Sequence, residues 1–390
     1  MTRPSISFAP AADRQLPGSD AAMEGLLAAL VRGDQPELPF TAAAPEQQFL
    51  EAAQRHGVVP LVAWQHRRGG SLNDWPAALR SAIAARARQH AIVEQLQRSE
   101  LATVVGELTT RSVRSIVLKG GALAYTHYPH PCLRPREDFD LLVHESQKND
   151  AVDVLRARGY TPLDMITGEL VTAQQTFGRH AGRGVRYTCD LHWRVSNRMA
   201  FSRLLPWERL VSETRPIPAL GAHAEGLAAP HALLMACVHR VAHHFDPPRL
   251  IWLYDVHLLA SSMSEDDAAR FVALAVDSGL AAICARGLAL SQHHFRTSLP
   301  AAFDRLVPAG DEPLAAYLDR AFRPFDALVS DLRALGGTRA RWQLLREHLF
   351  PPSPYLRAAR PRMGSGPLPW LYARRIVRGI SHWFHAARES

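Results

Sequence analysis

The sequence has few cysteines and no long hydrophobic run. Its four cysteines, Cys132, Cys189, Cys237 and Cys284, lie far apart and form no CxxC pair. This spacing argues against a zinc ribbon and a disulfide framework, and it favours reduced thiols in a cytoplasmic protein. No stretch reaches about 18 consecutive apolar residues, so we expect no transmembrane helix. The first twenty residues contain no apolar segment, so we also expect no secretory signal.

The sequence carries little net charge outside its last 51 residues. Of the formal net charge of +8, the segment 340–390 supplies +7, from nine arginines and two glutamates. The other 339 residues therefore carry only about +1. A near-neutral body argues against a basic nucleic-acid groove that runs along the whole protein. The hydrophobic fraction of 47% and the charged fraction of 21% are ordinary for a globular protein.

Hydrophobic periodicity divides the 390 residues into helical and mixed regions. The mixed region alternates short apolar strands with helices, which predicts a small α/β unit with a mixed sheet and an α+β fold class overall. The predicted regions are a disordered N-terminus (1–20), an N-terminal helical region (21–112) with a long amphipathic helix from about Pro76 to Thr110, the α/β core (113–222), a helical domain (223–350), and a Pro-rich linker with a basic amphipathic tail helix (351–390).

Two aspartates, Asp138 and Asp140, stand at the start of the apolar strand DFDLLV. Positions i and i+2 share a strand face, so both carboxylates point the same way and repel unless a cation lies between them. The pair alone is also typical of a solvated strand start with two exposed acids. Asp190 lies on the polar face of a later alternating strand, GVRYTCDLHWRV, and could supply a third carboxylate. Several acids around one point suit divalent metals and phosphoryl transfer.

The segment LKGG, Leu118 to Gly121, stands where a predicted strand turns into a helix. Two glycines let the backbone approach a ligand closely, and a helix N-terminus offers N–H groups to phosphate. Lys119 adds a cation at the same place. Most Gly-Gly pairs after a strand are merely turns. Arg134 and Arg136 directly precede the acids and suit triphosphate oxygens that a metal leaves uncovered.

Together these segments resemble the polymerase-β-type nucleotidyltransferase superfamily. More narrowly, VLKGGALA, LRPREDFDLLV, RARGY, DLHWRV and the helical HALLMACVHRVAHHF resemble the bacterial group labelled uncharacterised nucleotidyltransferase family proteins. The resemblance covers roughly residues 22 to 375. It implies a small mixed-sheet nucleotidyltransferase core flanked by N-terminal helices and a C-terminal helical domain. It also implies Mg²⁺-dependent transfer of a nucleoside monophosphate from an NTP to a hydroxyl acceptor, with release of pyrophosphate and two Mg²⁺ ions.

Carried over to this sequence, the resemblance implies roles for individual residues. Gly120 and Gly121 would line the nucleotide phosphates, Asp138 and Asp140 would hold Mg²⁺, and Asp190 would hold the catalytic ion and help to deprotonate the acceptor. The superfamily's usual Gly-Ser is Gly-Gly here, so Lys119 would replace the missing polar side chain. The alternative is a catalytically silent nucleotide-binding or partner-binding module of the same fold. The near-neutral body favours a small-molecule, peptide or protein acceptor over RNA.

Four further residues are candidates for the acceptor side: His192, His239, His243 and Asp255. The HRVAH segment lacks the glutamate of a zincin motif, so an interface role is favoured over zinc binding. Asp255 interrupts an apolar helix face, which fits either buried hydrogen bonding or an acid or base role. We expect Asp255 and at least one of His239 and His243 to face the three acids across a cleft. Activity should then fall as histidine is protonated below about pH 6.5.

The tail helix places aromatic and aliphatic side chains among four arginines. Basic amphipathic helices bind partner proteins or anionic membrane surfaces, and they also occur as ordinary surface helices whose arginines face water. Both interpretations remain open on the sequence.

Overall fold

The computed structural model describes residues 19–37, 43–69, 74–163, 168–182, 184–319, 321–353, 356 and 367–384. The predicted disordered segment lies outside these residues, apart from its last two. Much of the predicted Pro-rich linker also lies outside them.

In the described chain, helices precede and follow a central region of strands and helices. The helix predicted from Pro76 to Thr110 is confirmed as Ala77–Thr110. The helices are α1 (Ser19–Arg32), α2 (Ala43–Arg55), α3 (Val59–Gly69), α4 (Ala77–Thr110), α5 (Lys119–Thr126), α6 (Lys148–Ala157), α7 (Met199–Ser202), α8 (Trp207–Val211), α9 (Ala229–Ala242), α10 (Leu250–Ser261), α11 (Glu265–Asp277), α12 (Ala281–Phe295), α13 (Pro324–Ala334), α14 (Thr338–Leu349) and α15 (Leu368–Phe384). The strands are β1 (Ser115–Val117), β2 (Phe139–Val143), β3 (Thr161–Pro162), β4 (Gln174–His180), β5 (Arg186–His192), β6 (Thr214–Pro216) and β7 (Glu225–Leu227).

The strands form one mixed sheet in the order β3-β4-β5-β2-β1-β7-β6. Strand β1 pairs antiparallel with β2, whereas β2 pairs parallel with β5. The α+β class is therefore confirmed, with helices flanking a mixed sheet. The sheet is larger than predicted, because β3, β4, β6 and β7 were not expected. Three of these strands have only two or three residues, and β4 (QQTFGRH) has no apolar alternation.

The two faces of the sheet pack against different sets of helices. Leu141 and Leu191 belong to a core that also contains Leu101 and Leu108 of α4 and Leu155 of α6. The opposite face, which carries Asp140 and Leu142, is turned toward a second and larger core. The acids therefore lie on the sheet face that the other helices cover.

The second core joins the helices before and after the sheet. Leu27 of α1 and Leu61 of α3 are buried in the same cluster as Leu234 of α9, Leu253 of α10 and Leu288 of α12. The N-terminal and C-terminal helical regions thus share one apolar interior, although they are far apart in the sequence. No helix in the described part of the chain is long and apolar enough to cross a membrane.

The tail helix α15 is attached to the end of α14. The Tyr372 hydroxyl donates a hydrogen bond to the Pro351 carbonyl at 2.8 Å, and Leu371 is buried. Trp370 is about half exposed, with the Arg374 guanidinium 4.9 Å from its ring. Whether this surface binds a partner stays a prediction.

Candidate active site

The central acids are brought together by strand register. In the parallel pair β2 and β5, Asp140 stands directly opposite Asp190, so their carboxylates emerge side by side from one face. His192, two residues after Asp190, shares that face. One ligand atom from each of Asp140, Asp190 and His192 lies within 4.8 Å of the other two. Asp138 directly precedes β2 and lines the same cavity.

Lys119 is fixed beside Asp140 by the end of the neighbouring strand. The Leu118 N–H donates to the Asp140 carbonyl at 3.0 Å, which extends the β1–β2 ladder to the start of α5. Lys119 then adopts φ +50°, a left-handed conformation that is uncommon for a residue with a side chain. Its Nζ donates to Asp140 Oδ1 at 2.7 Å, and His192 Nε2 lies 2.8 Å from the same oxygen.

The pKa values of Asp138 and Asp140 are shifted in opposite directions. Burial, together with the charges of Asp140 and Asp190, raises the pKa of Asp138 to about 7. Burial also opposes ionisation of Asp140, but Lys119 and His192 outweigh it and hold the pKa of Asp140 well below its usual value. The charges of Asp140 and Asp190 raise the pKa of Asp138, and a divalent cation held at this place would relieve that repulsion.

Gln174 at the start of β4 holds the third acid in place. Its Nε2 donates to Asp190 Oδ2 at 3.0 Å. Gln174 stands opposite His192 in the β4–β5 register, so its side chain reaches the same sheet face. No sequence pattern predicts this contact, since β4 itself was not predicted.

The two glycines of LKGG are required by close packing. A Cβ atom on Gly120 would lie 2.8 Å from Arg134 Cζ, and one on Gly121 would lie 3.2 Å from Val117 Cγ1. Gly120 therefore makes room for the Arg134 guanidinium, while Gly121 lets α5 lie close to β1. Both glycines also line the cavity, and their contact with phosphate stays a prediction.

The acids open into a cavity of about 690 Å³. Its walls come from the sheet, the start of α5, and helices of the N-terminal and C-terminal regions. This volume lies within the usual range for small-molecule sites. The lining includes Lys119, Gly120, Gly121, Arg134, Arg136, Asp138, Asp140, Gln174, Asp190, His239, His243, His244, Arg249, Trp252 and Asp255.

A family model described as "Uncharacterised nucleotidyltransferase" matches residues 43–296, well over half of the chain. The match contains the acids, the LKGG turn and the helical wall of the cavity. The chain belongs to the uncharacterised nucleotidyltransferase family. No curated protein matches it.

In this nucleotidyltransferase family member, Arg134 and Asp255 form a buried ion pair. Arg134 Nε lies 2.9 Å from Asp255 Oδ1, and Nη2 lies 2.8 Å from Oδ2. Tyr128 also donates to Asp255 Oδ1 at 2.7 Å, and Arg134 Nη1 donates to the Pro135 carbonyl. Every nitrogen of the guanidinium group is thus engaged. The geometry favours the hydrogen-bonding interpretation of Asp255, and a contact from Arg134 to a nucleotide stays a prediction.

Arg136 is tied to the two helices beside it. Its Nη2 donates to the Tyr125 hydroxyl at 2.7 Å and lies 3.0 Å from Glu94 Oε2. Tyr125 in turn donates to Glu94. The residue lines the cavity, but its charge is already matched by a carboxylate of α4.

The helical wall opposite the sheet is a cluster of imidazole and indole rings. The His239 ring centroid lies 5.3 Å from that of His243 and 4.9 Å from that of His244, and His244 lies 4.4 Å from Trp252. Burial, and next the charge of Lys119, lower the pKa of His239 well below its usual value, that of His243 to about 3 and that of His244 to about 4. The expected protonation of His239 and His243 just below pH 6.5 is therefore wrong, because these half-buried rings stay neutral there.

The structure adds residues that sequence reasoning missed, although His192, His239, His243 and Asp255 do lie at the site. Arg249 and Trp252 precede Asp255 by six and three residues, and the helical spacing of Trp252 and Asp255 was a usable signal. His244 directly follows His243, which is a candidate from the sequence alone. An acceptor-side role for any of these residues remains a prediction.

Proposed function

We propose that this chain is a Mg²⁺-dependent nucleotidyltransferase that moves a nucleoside monophosphate from an NTP to a hydroxyl acceptor and releases pyrophosphate. One observation carries the proposal: Asp140 and Asp190 stand side by side on one sheet face, with Asp138 beside them in the same cavity. Lys119 and the LKGG turn lie at the same place, where cations and backbone N–H groups suit phosphate.

The donor set of the site fits a divalent cation. Asp140, Asp190 and His192 place a ligand atom each within 4.8 Å of the other two, and Asp138 offers further carboxylate oxygens in the cavity. Carboxylate oxygens are the ligands that Mg²⁺ prefers. Two ions are proposed, held by Asp138, Asp140 and Asp190. When bound, Mg²⁺ would polarise the α-phosphate and stabilise the departing pyrophosphate.

The protein residues would position the reactants and accept a proton. The acceptor oxygen attacks the α-phosphorus, and the bond from that phosphorus to the oxygen bridging the β-phosphate breaks. The electron pair of that bond leaves with pyrophosphate, while the hydroxyl proton passes to the Asp190 carboxylate. Lys119, Gly120 and Gly121 would hold the phosphates, and the helical wall would exclude water from the reaction.

A small molecule, peptide or protein is proposed as the acceptor in preference to RNA. The near-neutral charge of residues 1–339 supports this choice, because RNA binding depends strongly on phosphate-binding cations. All four cysteines are free thiols, which supports the cytoplasm as the compartment. The basic helix α15 is proposed as the surface for a partner protein or membrane.

Incubation with each α-³²P-labelled NTP and Mg²⁺ tests the proposal. We expect label on a small molecule, peptide or protein, and we expect Asp138→Asn and Asp140→Asn to abolish the transfer without unfolding the protein. Asp153→Asn, which changes a largely exposed acid of α6, is the matched control and should keep full activity. Full activity in both site variants would exclude these acids as catalytic residues. Tight NTP binding with no transfer would favour the silent module.

A further inference from the structure

A triphosphate needs cations beyond the metal, and most cations of the cavity are already paired. Lys119 contacts Asp140, Arg134 contacts Asp255, and Arg136 contacts Glu94. Each pair is close enough for a charge-assisted hydrogen bond. Drawing Arg134 or Arg136 away from its partner would leave a buried carboxylate uncompensated, which is costly, whereas Mg²⁺ at Asp140 would replace the charge of Lys119 there.

Two arginines that line the cavity make no such pair. Among the residues that the structure describes, neither Arg215 nor Arg249 has a carboxylate within ion-pair distance or a side-chain hydrogen bond. Arg215 lies on β6 at the edge of the sheet, three strands from β2 and so about 14 Å away at the usual strand spacing. Arg249 lies in the helical half, directly before α10.

Arg249 is held in one place without using its hydrogen-bond donors. Its Cζ lies 4.8 Å from the centre of the Trp252 ring. Stacking of this kind orients a guanidinium group through its flat face and leaves its N–H edge free for a planar or tetrahedral anion. The residue is exposed to the cavity and to solvent, so a ligand can reach it.

Arg249 lines the same cavity as Asp138, Asp140 and Asp190. A triphosphate that presents its α-phosphate to the acids would extend its β- and γ-phosphates into the space between the sheet and the helical wall.

We propose that Arg249, stacked on Trp252, binds the β- and γ-phosphates of the NTP and makes the cavity selective for triphosphates. This inference rests on the proposed function, because it assigns a ligand group within the same site. The sequence predicted that Arg134 and Arg136 bind the phosphates. The inference assigns the β- and γ-phosphates to Arg249 instead, which belongs to the helical half. The helical half then takes part in nucleotide selection as well as in covering the sheet.

Equilibrium binding tests this role without any transfer reaction. The four α,β-methylene NTPs, in which a CH₂ group replaces the oxygen that must leave, are titrated into the protein with Mg²⁺ in a calorimeter. The analogue that binds the wild-type protein most tightly is kept, together with the matching monophosphate. We expect Arg249→Gln to lower the affinity for the triphosphate analogue about tenfold or more, because the variant loses a hydrogen bond from a charged group. Monophosphate affinity should stay unchanged.

Three further variants make the result specific. Arg249→Lys should recover part of the triphosphate affinity, and Trp252→Leu should lose part of it. Arg156→Gln removes an equal charge from an exposed position on α6 and should bind both ligands as the wild type does. Unchanged triphosphate affinity in Arg249→Gln, or equal losses for both ligands, would overturn the assignment of Arg249 alone. If the wild-type protein bound none of the four analogues, the proposed function would fail and this inference with it.

Discussion

At the scale of single residues, the pair Arg134 and Asp255 shows how a charge inside the fold is matched by a partner that is distant in sequence. A lone acid within an apolar helix signals either burial with a partner or a functional role. The partner stands 121 positions earlier in the sequence, so no local pattern reveals it. Gly120 is part of the same arrangement, because any larger side chain there would collide with the guanidinium group.

Breaking this ion pair should destabilise the protein strongly. Asp255→Asn leaves the Arg134 charge buried and uncompensated, so we expect the free energy of unfolding to fall by about 3–5 kcal/mol. The double variant Arg134→Met, Asp255→Leu removes both charges and should recover most of that loss. Urea unfolding of the three proteins measures the effect. Wild-type stability in Asp255→Asn would show that the pair is not a structural element.

At the scale of elements, the sequence predicts what is strongly periodic and misses what is short or polar. Strands β1, β2 and β5 and the helical segment from α9 to α12 were predicted, because each is either a strongly apolar run or has an apolar repeat. Strand β4 was missed because QQTFGRH looks like a loop until it is paired with β5. The acids could be predicted from their spacing, whereas Gln174 could not, since its role depends on that pairing.

The hydrogen bond from β4 to Asp190 should set the affinity of the site for metal. Gln174→Leu removes the donor that orients Asp190, and loss of such an outer contact commonly weakens metal binding about 10–100-fold. Gln175→Leu is the matched control, because successive strand residues point to opposite faces. The Mn²⁺ affinity of each variant is measured by titration without nucleotide, with electron paramagnetic resonance as the readout. Equal Mn²⁺ affinity in Gln174→Leu and the wild-type protein would contradict the role of this contact.

At the scale of the whole molecule, helices from both ends of the chain complete the site. The core shared by α1, α3, α9, α10 and α12 could not be predicted, because it joins segments that are distant in sequence. Contacts also reach beyond the residues that the family model matches. The Glu347 carboxylate on α14 accepts hydrogen bonds from the backbone N–H groups of Leu170 and Val171, shortly before β4. Side chains at the site therefore depend on packing from almost the entire described chain.

The packing of helices around the cavity should make the protein less stable in acid, because it keeps a histidine ring neutral. Histidine in the unfolded chain has a pKa near 6.5, whereas burial and next Lys119 hold that of folded His243 at about 3. From about pH 6.5 down to about pH 4 this ring binds a proton in the unfolded state but not in the folded state, so its contribution to the free energy of unfolding decreases as the pH falls. The slope is up to about 1.4 kcal/mol per pH unit. His243→Phe should reduce the slope measured by urea unfolding between pH 7 and pH 5, and the exposed control His223→Phe should not. An unaltered slope in His243→Phe would show that this ring is not kept neutral by the fold.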